Sequence, residues 1–174
     1  MLNVCEIRIP NTPEIETFNG DANNPALIKI AGLSIIERLL LGAAKAGVSR
    51  AYVADVHEIT KQLLATSKAL RKSSIEVSWN AAEKSLPTKR IVVEANVIVG
   101  NPIWNALVAA TANMDVNQAP AMKTVGFPDE QPFPAVNDAS SSPYVYPVTR
   151  AEHVKYARKT IFKNVSKRSS GPVS

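Results

Sequence analysis

Pro25-Ala-Leu-Ile-Lys-Ile-Ala-Gly-Leu-Ser-Ile-Ile-Glu-Arg-Leu-Leu-Leu-Gly-Ala-Ala-Lys-Ala-Gly-Val-Ser-Arg-Ala-Tyr-Val-Ala-Asp55 is the stretch that decides the fold. Ser34 is followed three residues later by Glu37, the spacing of a capping box, in which each residue satisfies an N–H that the first helical turn leaves unbonded. Ile35, Ile36, Leu39, Leu40, Ala43 and Ala44 then recur at helical spacing, and Gly47 supplies a C-terminal stop. The segment predicts a helix with one buried face. Ala51-Tyr52-Val53-Ala54 follows as a short strand, and Asp55 with Glu58 suits the start of a second helix through Ile59, Leu63, Leu64 and Leu70.

Upstream of this unit, residues 2–9 alternate, with Cys5, Ile7 and Ile9 on one side against Glu6 and Arg8, which predicts a half-buried strand ended by Pro10 and Pro13. Downstream, Ile75–Trp79 is a third strand. Ile91–Val99 is an apolar run broken only by Glu94-Ala95-Asn96, as expected of a central strand covered on both faces. Asn101 and Pro102 suit the N-cap and first position of a helix carrying Ile103, Trp104, Leu107 and Val108, with Ala121–Phe127 as its partner strand. Residues 128–143 hold four prolines and read as a surface loop. Tyr144–Val148 is a further edge strand, and Thr149 with Glu152 opens a last, basic helix through Val154, Ala157, Ile161, Phe162 and Val165. Strands alternating with helices predict an α/β three-layer sandwich with a largely parallel, mixed sheet.

Length and charge narrow the function classes. A chain of 174 residues, 45% hydrophobic and 20% charged, suits one globular domain. Its apolar runs fall far short of the roughly 20 residues that cross a bilayer. The start lacks a basic stretch followed by an apolar one, so a cytoplasmic location is expected. From Arg150 onward seven bases face one acid, giving +6, while the first 149 residues carry 13 bases and 14 acids and net to −1. That distribution argues against a nucleic-acid groove, which needs bases spread over a folded face. A basic end, with Arg158, Lys159, Lys163, Lys167 and Arg168 as its membrane-proximal residues, suits an anionic membrane surface. The ordinary explanation stands beside it: bases are favoured toward the C-terminus of any exposed helix.

The Pro25–Asp55 stretch resembles the first helix and second strand of the sugar-phosphate nucleotidyltransferases, of cytidylyltransferase or MobA-like type. Pro25, Leu27 to Ile30, Gly32 and Ala46-Gly47-Val48 match that family's pattern. The resemblance implies a nucleotidyltransferase-like fold, a cationic phosphate loop before Pro25, a lysine after that proline, and a metal-holding aspartate on the central strand. This chain departs at each point. Residues 10–28 hold one glycine and no Lys or Arg, the lysine position is Ala26, and the aspartate position is Asn96. Glu14, Glu16 and Asp21 give the upstream segment −3, which repels a triphosphate, and an amide is a weaker ligand than a carboxylate for a hard dication. The end of the chain, Ala157–Ser174, resembles the connector of CDP-alcohol phosphatidyltransferases that carry such a domain at their N-terminus. There it leads into a membrane-embedded catalytic part.

Together these readings expect a nucleotidyltransferase-like domain over 1–165 and a basic connector over 166–174, followed by a membrane part beyond Ser174. The domain is expected to be catalytically degenerate, to bind no cofactor or metal, and to position, regulate or dimerise a CDP-alcohol phosphatidyltransferase in phospholipid or phosphodiester synthesis. Its partners are then the membrane-embedded transferase domain of the same parent chain, the anionic inner face of a membrane and, as a homodimer, a second copy; nucleic acid is not among them. One alternative is a working cytidylyl-type transferase acting on a phosphorylated alcohol with CTP and Mg²⁺, using Lys29, Glu94 and Asn96 as ligand-binding residues. Another is an interaction module using Trp79 or the 128–143 surface. Glu94 and Asn96 on one strand face would meet in a cleft at its carboxyl end; a strand end satisfied by backbone is the plainer reading. Cys5 reads as an inert core thiol, Trp79 and Trp104 as core or interface anchors, and His57 and His153 as helix-start residues without chemistry.

Overall fold

The computed structural model describes residues 3–9, 25–54, 58–87, 89–113, 122–125, 145–147, 154 and 158–159. Strand β1 (Asn3–Arg8) is followed among the described elements by a 3₁₀ turn (Pro25–Leu27) and a small antiparallel hairpin, β2 (Lys29–Ile30) and β3 (Leu33–Ser34). The hairpin turn takes two residues at positive φ, Ala31 (49°) and Gly32 (85°), the left-handed geometry that a two-residue turn needs. Arg38 reaches back from the next helix and donates to the carbonyls of Ile30 and Ala31, fastening the turn to it.

Helix α1 (Ile35–Lys45) starts on the expected capping box. Glu37 N–H donates to Ser34 Oγ at 3.3 Å, and Ser34 N–H donates to the Glu37 carboxylate at 2.8 Å. Gly47 ends it at φ 96°. Ile35, Ile36, Leu39, Leu40 and Ala43 are buried, each large side chain contributing about 1.5–3 kcal/mol. Strand β4 (Val48–Ala54) is longer than its expected four residues because Val48 already pairs with Asn3 of β1.

The second helix divides. Ser67 leaves the helical conformation and caps a new turn, so α2 (Glu58–Thr66) is followed by α3 (Lys68–Arg71). Ile59, expected on the buried face, is 61% exposed. Strand β5 (Glu76–Trp79) comes next, then a 3₁₀ turn (Glu83–Ser85) and β6 (Arg90–Glu94). The expected single strand over Ile91–Val99 is two. Ala95 and Asn96 form a turn, and β7 (Val97–Val99) pairs antiparallel with β9 (Val145–Pro147), apart from the main sheet. Helix α4 (Asn101–Ala112) has Gly100 as its N-cap, so Asn101 and Pro102 stand one position further into the helix than expected. Strand β8 (Met122–Val125) lies within the expected 121–127.

The main sheet has the order β5-β4-β1-β6-β8 and is parallel throughout; the antiparallel pairs are confined to the two ribbons. This is the α/β architecture with a parallel sheet that the alternation of elements led us to expect. In-register partners share a face. Val77 and Trp79, Ala51 and Val53, Cys5 and Ile7, and Ile91 and Val93 therefore line one face, where the buried residues of α1, Leu64 of α2 and Trp104 of α4 complete a single apolar core. Burial pushes the Cys5 thiol up to about 12, consistent with an inert core cysteine.

The opposite face is different in kind. It carries Glu76 and Ser78, Arg50 and Tyr52, Val4, Glu6 and Arg8, and Arg90, Val92 and Glu94. Strand β1 is thus not half-buried: Val4 and Glu6 are each only 5% exposed. Glu6 tolerates this because two guanidinium groups meet its carboxylate.

The Asp55 cap, His57, the 128–143 loop, the Thr149–Glu152 box, His153, Lys163, Lys167, Arg168 and the 166–174 connector lie outside the described residues. Of the last helix, Val154 is partly buried against the core, and Arg158 and Lys159 are exposed. Among the described residues no helix is long and apolar enough to cross a membrane.

Candidate functional site

An open parallel sheet offers one preferred place for a ligand: the crevice outside the carboxyl ends of the two strands where the winding reverses. Here those strands are β1 and β6. From β1 the chain builds outward to β4 and β5, whereas β6 and β8 lie on the other side. At the crevice stand Arg8 at the end of β1 with Ile9 after it, and Glu94 at the end of β6 with Ala95 and Asn96 in the turn that follows. Ala95 N–H donates to Arg8 O at 2.7 Å, which carries the ladder one residue past Glu94 and fixes the two strand ends together.

The structure brings two of the three candidate ligand-binding residues to this point and holds the third apart. Glu94 is the last residue of β6, half-buried and in register beside Arg8, and among the described residues it makes no ion pair. Asn96 follows in the turn, so the two do not share one strand face; the polar strand end is a corner. The Asn96 Oδ1 atom is buried without a hydrogen-bond partner, so backbone does not satisfy it. Such an atom costs about 1–3 kcal/mol relative to a paired one. Lys29 stands exposed on β2, opposite Ser34.

Lys29 belongs instead to a cluster at the start of α1. Burial raises the Glu37 carboxyl, and the Ser34 N–H, the Ser67 and Ser34 hydroxyls and the Lys29 charge together outweigh it, leaving Glu37 below the usual carboxylate range. Because Ser67 also accepts from Leu70 N–H, this one buried carboxylate joins the starts of α1 and α3. Its partners serve capping and packing.

The strongest electrostatic feature beside the crevice is assembled by the fold. Arg90 Nε donates to Glu6 Oε2 at 2.7 Å, and Arg90 Nη1 donates to Pro87 O at 3.0 Å. Arg8 Nε donates to Glu6 Oε1 at 3.0 Å, and its Nη2 to Oε2 at 3.4 Å. Burial raises the Glu6 carboxyl, but the hydrogen bonds and charges of the two arginines overcome it and hold Glu6 below the usual range. The Glu6 and Arg8 spacing on one strand face was visible; Arg90 is 84 residues from Glu6, and only the β1–β6 pairing reveals it.

Trp79 packs partly buried against the core and Trp104 is fully buried, so both act as anchors. Ile59 is the only exposed large hydrophobic among the described residues.

No protein-family model matches the chain, and no curated protein matches it. Among solved structures, UDP-glucose pyrophosphorylase complexed with UDP-glucose is similar at a TM-score of 0.43 and 10% sequence identity, over 65% of this chain. The match takes in 54% of that protein's chain, about half its length.

Proposed function

We propose that the chain is a catalytically degenerate nucleotidyltransferase-like domain that positions or regulates a CDP-alcohol phosphatidyltransferase from the cytoplasmic face of a membrane. The observation that carries this reading is the corner at the end of β6. Nucleotidyl transfer depends on metal and cationic side chains that neutralise phosphate charge. At the crevice the position that the resemblance assigns to a metal-holding aspartate is the amide Asn96, Arg8 is engaged with Glu6, and Lys29 lies near Glu37 on the hairpin. The sequence adds −3 from Glu14, Glu16 and Asp21 just after β1. Membrane attachment draws its support from the connector-like end and the +6 carried after residue 149.

Incubating the chain with CTP, other nucleoside triphosphates and Mg²⁺, with glycerol phosphate or inositol phosphate as acceptor, is expected to release no pyrophosphate. Clear turnover would refute degeneracy. The unpaired Asn96 Oδ1 favours the alternative of a working transferase, and in that event Asn96→Ala abolishes the turnover.

A further inference from the structure

We propose that the outer surface of α2 and α3, with Lys61, Lys68, Arg71 and Lys72 as its cations and Lys29 continuing it, docks on an anionic lipid surface. Residues 58–73 hold these four bases against one acid, Glu58, a net of +3. Lys68, Arg71 and Lys72 are exposed and Lys61 partly so. Among the described residues the ion pairs join Glu6 to Arg8 and Arg90, and Arg50 to Glu76; none reaches this surface. Arg71 donates to the Ala65 carbonyl at 3.2 Å, which ties α3 to the end of α2 and leaves the guanidinium charge unneutralised. Glu37 connects the surface to the hairpin. Its carboxylate feels both the Ser67 hydroxyl at the start of α3 and the charge of Lys29, so the exposed Lys29 stands at the same corner as Lys68. Glu37 itself is turned inward, 8% exposed, and is held by Ser34 and Ser67.

Folding alone does not account for the arrangement. Lys68 stands three residues before Arg71 and four before Lys72, spacings that bring like charges together and destabilise a helix. The preference for bases at a helix C-terminus covers Arg71 and Lys72 but runs against Lys68, the first residue of α3. An opposing negative surface offsets both costs. The bases stand on the outside of two helices, and residues 58–73 include no aromatic side chain, so a nucleic acid finds no stacking platform there. A planar array of headgroup charges suits bases spread over several turns. Ile59, 61% exposed on the same helix as Lys61, suits the boundary between headgroups and acyl chains. This rests on the membrane-side reading proposed above and names the face of the domain that meets the leaflet.

The test uses the whole 174-residue chain. Co-sedimentation is measured with vesicles of equimolar phosphatidylglycerol and phosphatidylcholine, and with phosphatidylcholine alone, at low and high salt. Binding to the mixed vesicles only, falling as salt rises, is expected. The double variant Lys68→Gln, Lys72→Gln should bind them about twentyfold more weakly, as loss of two bases near an anionic surface does. Lys84→Gln with Lys89→Gln removes the same charge from the connection into β6 and should bind like the parent chain. None of these four lysines makes a hydrogen bond or ion pair among the described residues, so an unchanged thermal melt is expected of both variants. No binding to the mixed vesicles, or an equal loss from the two double variants, overturns the surface. Binding that Lys68→Gln with Lys72→Gln leaves intact and Lys163→Gln with Lys167→Gln abolishes also overturns it, while leaving membrane attachment through the basic end standing. Affinity for a single-stranded oligonucleotide that the α3 variant weakens, without vesicle binding, identifies nucleic acid as the partner and overturns it too. Turnover of CTP by the same chain would overturn degeneracy while leaving the vesicle result untouched.

Discussion

The two faces of the parallel sheet are made from alternate residues of the same strands and are held by opposite physics. On one, Cys5, Ile7, Ile91 and Val93 meet the helices in an apolar core that depends on shape and area. On the other, Glu6 and Arg90 are taken out of water as a charged pair, and the more exposed Arg8 shares the same carboxylate. A parallel sheet is ordinarily apolar on both faces. The difference teaches that one sheet can be held by apolar packing on one side and by mutually dependent charges on the other.

The comparison breaks most sharply at Glu6. Glu6→Gln leaves Arg90 buried without its counter-charge and is expected to cost about 3–5 kcal/mol in denaturant unfolding. The charge origin has a signature in pH. The folded-state carboxyl of Glu6 lies below its unfolded value of about 4.3, so its contribution is complete above that pH and is lost as pH falls through the folded value. Glu6→Gln should flatten this acid limb of the stability curve; an unchanged limb would mean that the cluster does not couple to folding.

On the apolar face the corresponding test is Gly42→Ala. The added Cβ would stand 2.5 Å from Trp104 Nε1 and 2.8 Å from Cδ1, and the fully buried indole has little room to give. Overpacking of this kind costs about 1–3 kcal/mol, with no dependence on pH between 3 and 6, roughly the range in which carboxylates titrate. A neutral or stabilising result would show that α1 and α4 can separate freely. The smallest effect is expected at the open end of the charged face. Arg50 and Glu76 pair at 2.9 Å with 40% and 64% of their side chains exposed, so Glu76→Gln should leave the melting temperature unchanged within measurement error. A clear drop would extend the interdependent cluster to the sheet edge.

What the sequence revealed follows from the range over which each signal acts. The capping box at Ser34 and Glu37 and the stop at Gly47 are local, and both appear where the residues placed them. Ser67 falls inside the span expected to be one helix, and nothing local distinguishes a tolerated serine from one that caps the next turn. Glu94-Ala95-Asn96 read as an interruption in one strand, since an apolar run has the same pattern whether it continues straight or turns a corner. The candidate site was legible as far as Glu94 and Asn96, at the end of a buried strand. The buried Glu6–Arg90 pair was not, because it is created by the sheet order.

The indole of Trp104, buried against Gly42 with its N–H unbonded, also gives the protein a built-in optical gauge. A chromophore sealed in so apolar a setting emits toward the blue and is shielded from soluble quenchers, whereas Trp79 is only partly buried. Loosening of α4 from α1 would therefore register as a red shift and new quenching at Trp104, without any label being introduced.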